Sequence, residues 1–297
     1  MPIYEIAALA AAALWAYGGI ISAAPSSHLG AIAFNRLRML MVFAMLAAAV
    51  TIGPGWSSLG YEHMGALVLS GLIGIFIGDT ALFLTLNRMG PRRTAMLFSL
   101  NAPMSAVLGW LVLGEALSGQ VLAGAVICFA GVMLSIAFGK RRSQLHTWES
   151  IKGPVWIGLL LGLAAALSQS IGSLIARPVM ETGVDPVVAS AVRIGIAALG
   201  LVCLGALPFS YLKPANPLTL RIAGWTALSG FIGMGVGMTL VLFALSGGKV
   251  GIISTLSATT PALQLPLLWW RTGEMPAPGA WIGAALVVFG CGLMFGV

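Results

Sequence analysis

The sequence is short of almost everything a water-facing surface needs. Of its 297 residues only 8% are charged, and acids are the scarcer sign, eight Asp and Glu against 15 Lys and Arg. A soluble domain carries about 25% charged residues, so an ordinary wetted surface is excluded. Histidine is nearly absent: His28, His63 and His146 stand far apart and form no HExxH motif. Asp79 is the one acid well inside an apolar stretch, so paired-carboxylate chemistry also lacks its parts. With no nucleophile–base set and no metal cluster, the chain reads as a non-enzyme, and no cofactor is expected. Cysteine is scarce too. Cys128, Cys203 and Cys291 are widely spaced within apolar runs and odd in number, which suits small buried side chains and not a disulfide framework.

What is plentiful is apolar: 59% of residues are hydrophobic, mean hydropathy is +1.01, and there are 39 glycines and 14 methionines. Glycine at that level within long apolar runs suits membrane helices, where it lets backbones approach closely. The net charge of +7 would suggest nucleic acid in a soluble protein. Here the basic residues sit in short clusters between apolar runs, such as "GKRRSQLHTWESIKG" at Gly139 to Gly153. That is the pattern of loop charge at a membrane, not of one concentrated nucleic-acid-binding face. The N-terminal "MPIYEIAA" carries Glu5 and no basic residue. A cleaved signal peptide needs a basic start, so the first apolar run is expected to be a retained helix.

A bilayer core about 30 Å thick takes roughly 20 apolar residues per helix. Ten such stretches are found: 4–24, 31–52, 64–86, 94–113, 119–138, 154–176, 186–208, 219–243, 250–270 and 277–296. The longest loop, a basic linker over 140–153, separates a first half, 1–139, from a second, 154–297. The halves repeat. Gly71, Ile73, Gly74, Gly78 and Thr80 return as Gly230, Ile232, Gly233, Gly237 and Thr239 at a constant offset of 159. Gly124 and Gly131 return as Gly283 and Gly290, and Glu115 as Glu274, at the same offset. "AAALWAYGGIISAAP" is similarly echoed by "AAALSQSIGSLIARP". Each half has five spans, an odd number, so the second copy must enter the membrane upside down. The expected fold class is therefore an all-α membrane protein, ten transmembrane helices as two inverted five-helix repeats. Secondary transporters use this architecture, with the substrate near the midplane between repeats.

The segment "LFSLNAPMSAVLGWLVLGEALSGQVLAGAVICFAGVMLS", with its proline followed about ten residues on by "LGE" and a glycine-rich span, resembles the EamA-type repeat of the drug/metabolite transporter superfamily. The likeness extends over nearly the whole chain as two repeats, the second departing from the pattern at "WWRTGEMP". It implies a ten-helix, multi-pass exporter or exchanger of small organic metabolites, often amino acids or related compounds, in the bacterial inner membrane. A nucleotide-sugar or phosphate-ester exchanger of the same superfamily is the nearer alternative, and a non-transporting membrane scaffold the plainer one. The expected partners are the lipid bilayer, a small-molecule substrate and a coupled proton, and not nucleic acid; monomer and homodimer both stay open. Loops after odd-numbered spans, with their flanks, hold 12 of the 15 basic residues, which by the positive-inside rule puts both termini outside the cytoplasm. The family resemblance implies the opposite.

Asp79 lies about seven residues from the end of its span, roughly 10 Å deep. An ionisable group at such depth costs on the order of 2.5–3.5 kcal/mol and is functional by default. Its counterpart at offset 159 is Met238, so the fold does not require the acid. A substrate ammonium or a coupling proton is the role considered, against a fixed ion pair that locks two helices. Arg36 is the expected partner, with Arg38, about 200° around the helix, as substitute. Arg193, some seven residues into its span, is set either to meet a substrate carboxylate or to snorkel to the interface. Asn101, Thr260 and Gln264, with Trp15, Tyr17 and Gln169 from the first span of each half, are expected to line one cavity. Pro103 and Pro261 are expected to kink the fourth and ninth spans as hinges. Gly74 with Gly78, and Gly233 with Gly237, have GxxxG spacing for close helix packing. Glu115 and Glu274, each ahead of the last span of its half, read as helix-dipole partners, and Trp56, Trp148, Trp269 and Trp270 as an interfacial belt.

Overall fold

In lipid every backbone polar group must be satisfied within the chain, which leaves helices as the means of crossing for such a sequence. The computed structural model describes residues 3–52, 55–113, 118–140, 146, 150–247, 253 and 256–295, and its regular elements are all helical. We number ten: α1 Ile3–Leu29, α2 Ala31–Ile52, α3 Tyr61–Phe98, α4 Asn101–Leu113, α5 Gly119–Phe138, α6 Val155–Glu181, α7 Pro186–Gly205, α8 Leu220–Leu245, α9 Thr260–Thr272 and α10 Pro278–Phe295. Seven of them, all but α4, α9 and α10, are long and apolar enough to cross a membrane on length and composition alone.

Sequence-local chemistry sets several ends. Asp185 caps α7, its carboxylate accepting from the Val187 and Val188 amides, and Pro186 follows in the first turn, where a missing N–H costs nothing. Ser118 and Thr219 cap α5 and α8 in the same way. Within α3 the chain breaks at Gly90, whose φ of 79° only glycine adopts freely, followed by Pro91. The third span therefore runs on past its expected end at 86. The expected fourth span, 94–113, is two pieces, the end of α3 and α4, separated by a turn at Ser99 and Leu100.

The two halves interlock by swapping contacts. The glycine-rich stretches of α3 and α8, Gly71–Ile77 and Phe231–Met238, are both wound as wide π-helix. Each lies against the first helix of the other half. Gly74 meets Gly172 of α6 backbone to backbone, and Gly78 sits under Ser168; Gly233 meets Gly18 of α1, and Gly237 sits under Trp15. The outermost pair, α5 and α10, tests the symmetry most strictly. A Cβ placed on Gly124 would fall 2.5 Å from the carbonyl oxygen of Gly290, and one on Gly131 2.7 Å from that of Gly283. Placed on Gly283 or Gly290, it would meet the carbonyls of Gly131 and Gly124 at 2.5 and 2.6 Å. Each glycine thus touches the repeat-mate of the other. Only a twofold axis across the two antiparallel helices produces that reciprocity.

The loops sort onto two faces. On one, Ala215 donates to Leu29, Lys152 to Arg88, and His146 to the Glu274 carboxylate, which joins the connections after odd-numbered helices. On the other, Asp185 donates to Ser58 and Gln120 to Leu293. Among the described residues, Arg88, Lys152, Lys213, Arg221 and Arg271, counted after odd-numbered spans, lie on the first face. Glu115 and Trp148 lie outside the described residues, as do Arg141, Arg142 and Lys249. Cys128 and Cys291, distant in sequence, come to 3.8 Å between Sγ atoms where α5 crosses α10, without a disulfide between them.

Candidate substrate site

Where α1, α2, α3, α6, α8 and α9 converge, they leave a cavity of about 90 Å³. Its wall is mostly apolar, including Phe83, Phe98, Met234 and Met238. The polar groups on it are few: Ser22, Arg38, Asp79, Thr94, Gln169, Thr260, Gln264 and the Trp15 indole.

The charged part is built from two helices of the first half. Arg38 Nη1 donates to Asp79 Oδ2 at 2.8 Å, both side chains nearly out of solvent. The guanidinium also lies 4.9 Å from the centre of the Phe83 ring, a cation–π distance. This corrects the expected pairing with Arg36. Residues two apart on a helix point about 200° from each other, and α2 turns Arg38 toward α3. Arg36 instead reaches the Leu212 carbonyl at 3.4 Å and packs on Gly205, outside the cavity.

Arg193 completes the arrangement from the other half. It is 1% exposed, which rules out snorkelling, and it stands one layer behind the cavity wall. Its Nη1 is 3.5 Å from the Met238 sulfur, while Nε and Nη2 have no hydrogen-bond partner. Arg38 packs over Gly230 and Gly233, and Arg193 packs over Gly71 and Gly74. The two arginines are therefore repeat-mates, each spanning from the opposite half's glycines to position 79 or 238 of its own. One finds a carboxylate there and the other a thioether. Two buried guanidiniums and a single carboxylate leave one positive charge without a partner among the described residues.

Other expected residues divide. Trp15 donates its indole N–H to the Gly233 carbonyl at 2.8 Å and meets Phe98 edge-on at 6.0 Å. Gln169 donates to Ser173 at 3.3 Å, and Gln264 Nε2 lies 3.5 Å from the Ala16 carbonyl with its own Oε1 unpartnered. All three line the cavity. Asn101 does not. It lines a smaller, second cavity of about 20 Å³ with Ser105, Ser170 and Ser173, its amide donating to the Phe98 carbonyl at 2.7 Å. Trp15 and Gln169 border both cavities and form a layer between them. The larger cavity lies toward the basic-loop face, the smaller toward the opposite one. Tyr17, two residues from Trp15 and so about 200° around α1, faces outward into a surface groove with Trp225 and Trp270.

Pro103 and Pro261 sit in the first turns of α4 and α9, directly after the breaks, instead of kinking a continuous helix. A proline strips the hydrogen bond from the carbonyl four residues back. For Pro261 that is the Ser257 carbonyl, which the Thr260 hydroxyl takes over at 2.7 Å. For Pro103 it is the Ser99 carbonyl, taken by the Ala102 amide at 3.2 Å. Several wall residues carried no signal in the sequence: Phe83, Thr94 and Met234 lie in runs that read as plain span.

A ten-helix bundle of inverted repeats around a central cavity with an embedded ion pair defines a membrane transporter. The chain belongs to the EamA-like transporter family, whose model matches residues 2–137 and 156–296. Among curated proteins it is similar to an uncharacterized transporter, YoaV, of Bacillus subtilis (strain 168), with 23% identity over 145 residues, 46% of this chain and 48% of that one. The aligned part thus spans about half the length of that relative. One solved crystal structure superimposes with a TM-score of 0.73 over 98% of this chain and 95% of its own at 18% identity, a likeness of fold.

Proposed function

We propose that this protein is a secondary active carrier of a small zwitterionic metabolite, an amino acid or related compound, working by alternating access as an exporter or exchanger in a bacterial inner membrane. The observation that carries the reading is the unequal triad of Arg38, Asp79 and Arg193 at the central cavity. A buried unpaired charge is costly, and the triad has one guanidinium too many. A substrate carboxylate meeting Arg38, the one guanidinium on the wall, offsets the excess positive charge of the triad, and its ammonium group finds Asp79. Two cavities stacked on either side of the Trp15–Gln169 layer support alternating access, because only this thin layer need move for access to change face. The repeat symmetry supplies the second conformation, in which the halves exchange shapes. A phosphate-ester exchanger would need several cations converging in the cavity to hold a dianion, and only Arg38 reaches the wall.

Counterflow tests the reading. Proteoliposomes preloaded with a panel of unlabelled amino acids are expected to speed the entry of at least one labelled member several-fold over empty vesicles. Uptake unaffected by preloading would indicate a channel, and no flux for any member would sink the proposed substrate class.

A further inference from the structure

On the basic-loop face, α1, the start of α8 and the end of α9 enclose a groove that opens to the side of the bundle, on the face of α1 away from the central cavity. Its floor is apolar, with Ile20, Ile21 and Leu267, and Trp225 and Trp270 flank it. At its mouth stand Arg221 and Arg271, both exposed and without an acidic partner among the described residues. The inverted repeat supplies an internal control. At the offset of 159, Arg221 corresponds to Glu62, Arg271 to Val112 and Trp270 to Leu111. The twin position at the opposite face is therefore acidic and lacks the tryptophan, and its nearby Arg177 is already paired with Glu181 at 2.9 Å. Packing alone accounts for neither arginine, since the same fold is built without them in the other half.

An apolar trough with two guanidiniums at its mouth, at the loop end of the bundle, and two indoles beside them matches a phospholipid in both chemistry and layout. We infer that this groove binds one anionic phospholipid, its phosphate between Arg221 and Arg271 and an acyl chain along Ile20, Ile21 and Leu267. The occupant is a lipid and not a soluble anion, because the apolar trough continues directly below the charges. The site is separate from the central cavity and does not depend on what the carrier moves.

The test is native mass spectrometry of the delipidated full chain titrated with phosphatidylglycerol or with phosphatidylcholine of the same acyl chains. Each basic residue near an anionic headgroup contributes about a fivefold gain, so the wild type is expected to favour phosphatidylglycerol on the order of twentyfold. The double variant Arg221→Gln/Arg271→Gln is expected to lose that preference, and Arg177→Gln in the twin position to keep it. Inorganic phosphate in excess is expected not to displace the lipid. Both arginines are exposed, so folding is not at stake, and thermal unfolding of the double variant checks this. An unchanged preference in the double variant, or displacement by inorganic phosphate alone, overturns the inference.

Discussion

Asp79→Leu is expected to leave the protein both inactive and poorly folded, whereas Asp79→Leu combined with Arg38→Met is expected to recover the fold without the transport. The single change strands the Arg38 guanidinium, whose one carboxylate partner stands 2.8 Å away. Removing one member of a buried pair costs about 3–5 kcal/mol, because the remaining charge is left uncompensated. Replacing both members with apolar groups of similar volume is often neutral. Thermal unfolding in detergent reads the first effect as a large drop in Tm and a substantial return in the double variant. Counterflow reads the second as no flux in either. Asp79→Asn separates the roles further, since it keeps the shape and removes the charge. Transport with an unaltered pH dependence in Asp79→Asn would reduce the pair to a lock between α2 and α3.

The second large effect concerns the α5–α10 crossing. Gly131→Ala and Gly283→Ala each drive a methyl group into backbone of the facing helix, with the carbonyl oxygen at 2.7 and 2.5 Å. Backbone cannot rotate away, so the helices must separate, and overpacking of this kind costs roughly 1–3 kcal/mol or more. The geometry predicts how the two combine. Both methyls force open the same gap, so the second adds much less than the first, and a double-mutant cycle on Tm is expected to show strong non-additivity. Gly65→Ala, where a Cβ meets nothing within 4 Å, is the matched control and is expected to change little. Additive losses for Gly131 and Gly283 would mean that the two residues do not face each other.

Much of this architecture can be read from spacing. Lipid allows few ways to satisfy a backbone, so apolar length translates into helices, and the constant offset of 159 translates into two copies. Odd spans per copy then fix the inversion. The glycines mark the closest approaches because no other residue fits there. Rotation is what spacing does not reveal. Spacing favours Arg36 over Arg38 as the partner of Asp79, and only the packing of α2 against its neighbours reverses that choice; the same 200° decides that Trp15 faces the cavity while Tyr17 faces out. The π-wound stretches of α3 and α8 are also invisible in the sequence, since their glycine pattern serves an α-helix equally well. They shift the phase of everything after them, Asp79 and Met238 included. The breaks before Pro103 and Pro261 follow from local competition: Asn101 and Thr260 offer side-chain partners to carbonyls at the turn. The repeat-mate relation of Arg38 and Arg193 needed coordinates, because the second spans align less cleanly than the third.

Mutual exclusion between the two cavities is the most direct test of a shared chamber gated by the Trp15–Gln169 layer. In a variant whose native cysteines are replaced, Thr94→Cys places a thiol on the larger cavity and Ser173→Cys one on the smaller. A bulky membrane-impermeant maleimide is added first from the basic-loop face, then a second, distinguishable maleimide from the other. Occupancy at position 94 is expected to suppress labelling at 173 several-fold, and the reverse order to suppress labelling at 94. Labelling of the two positions that is independent in either order would contradict alternating access in this fold.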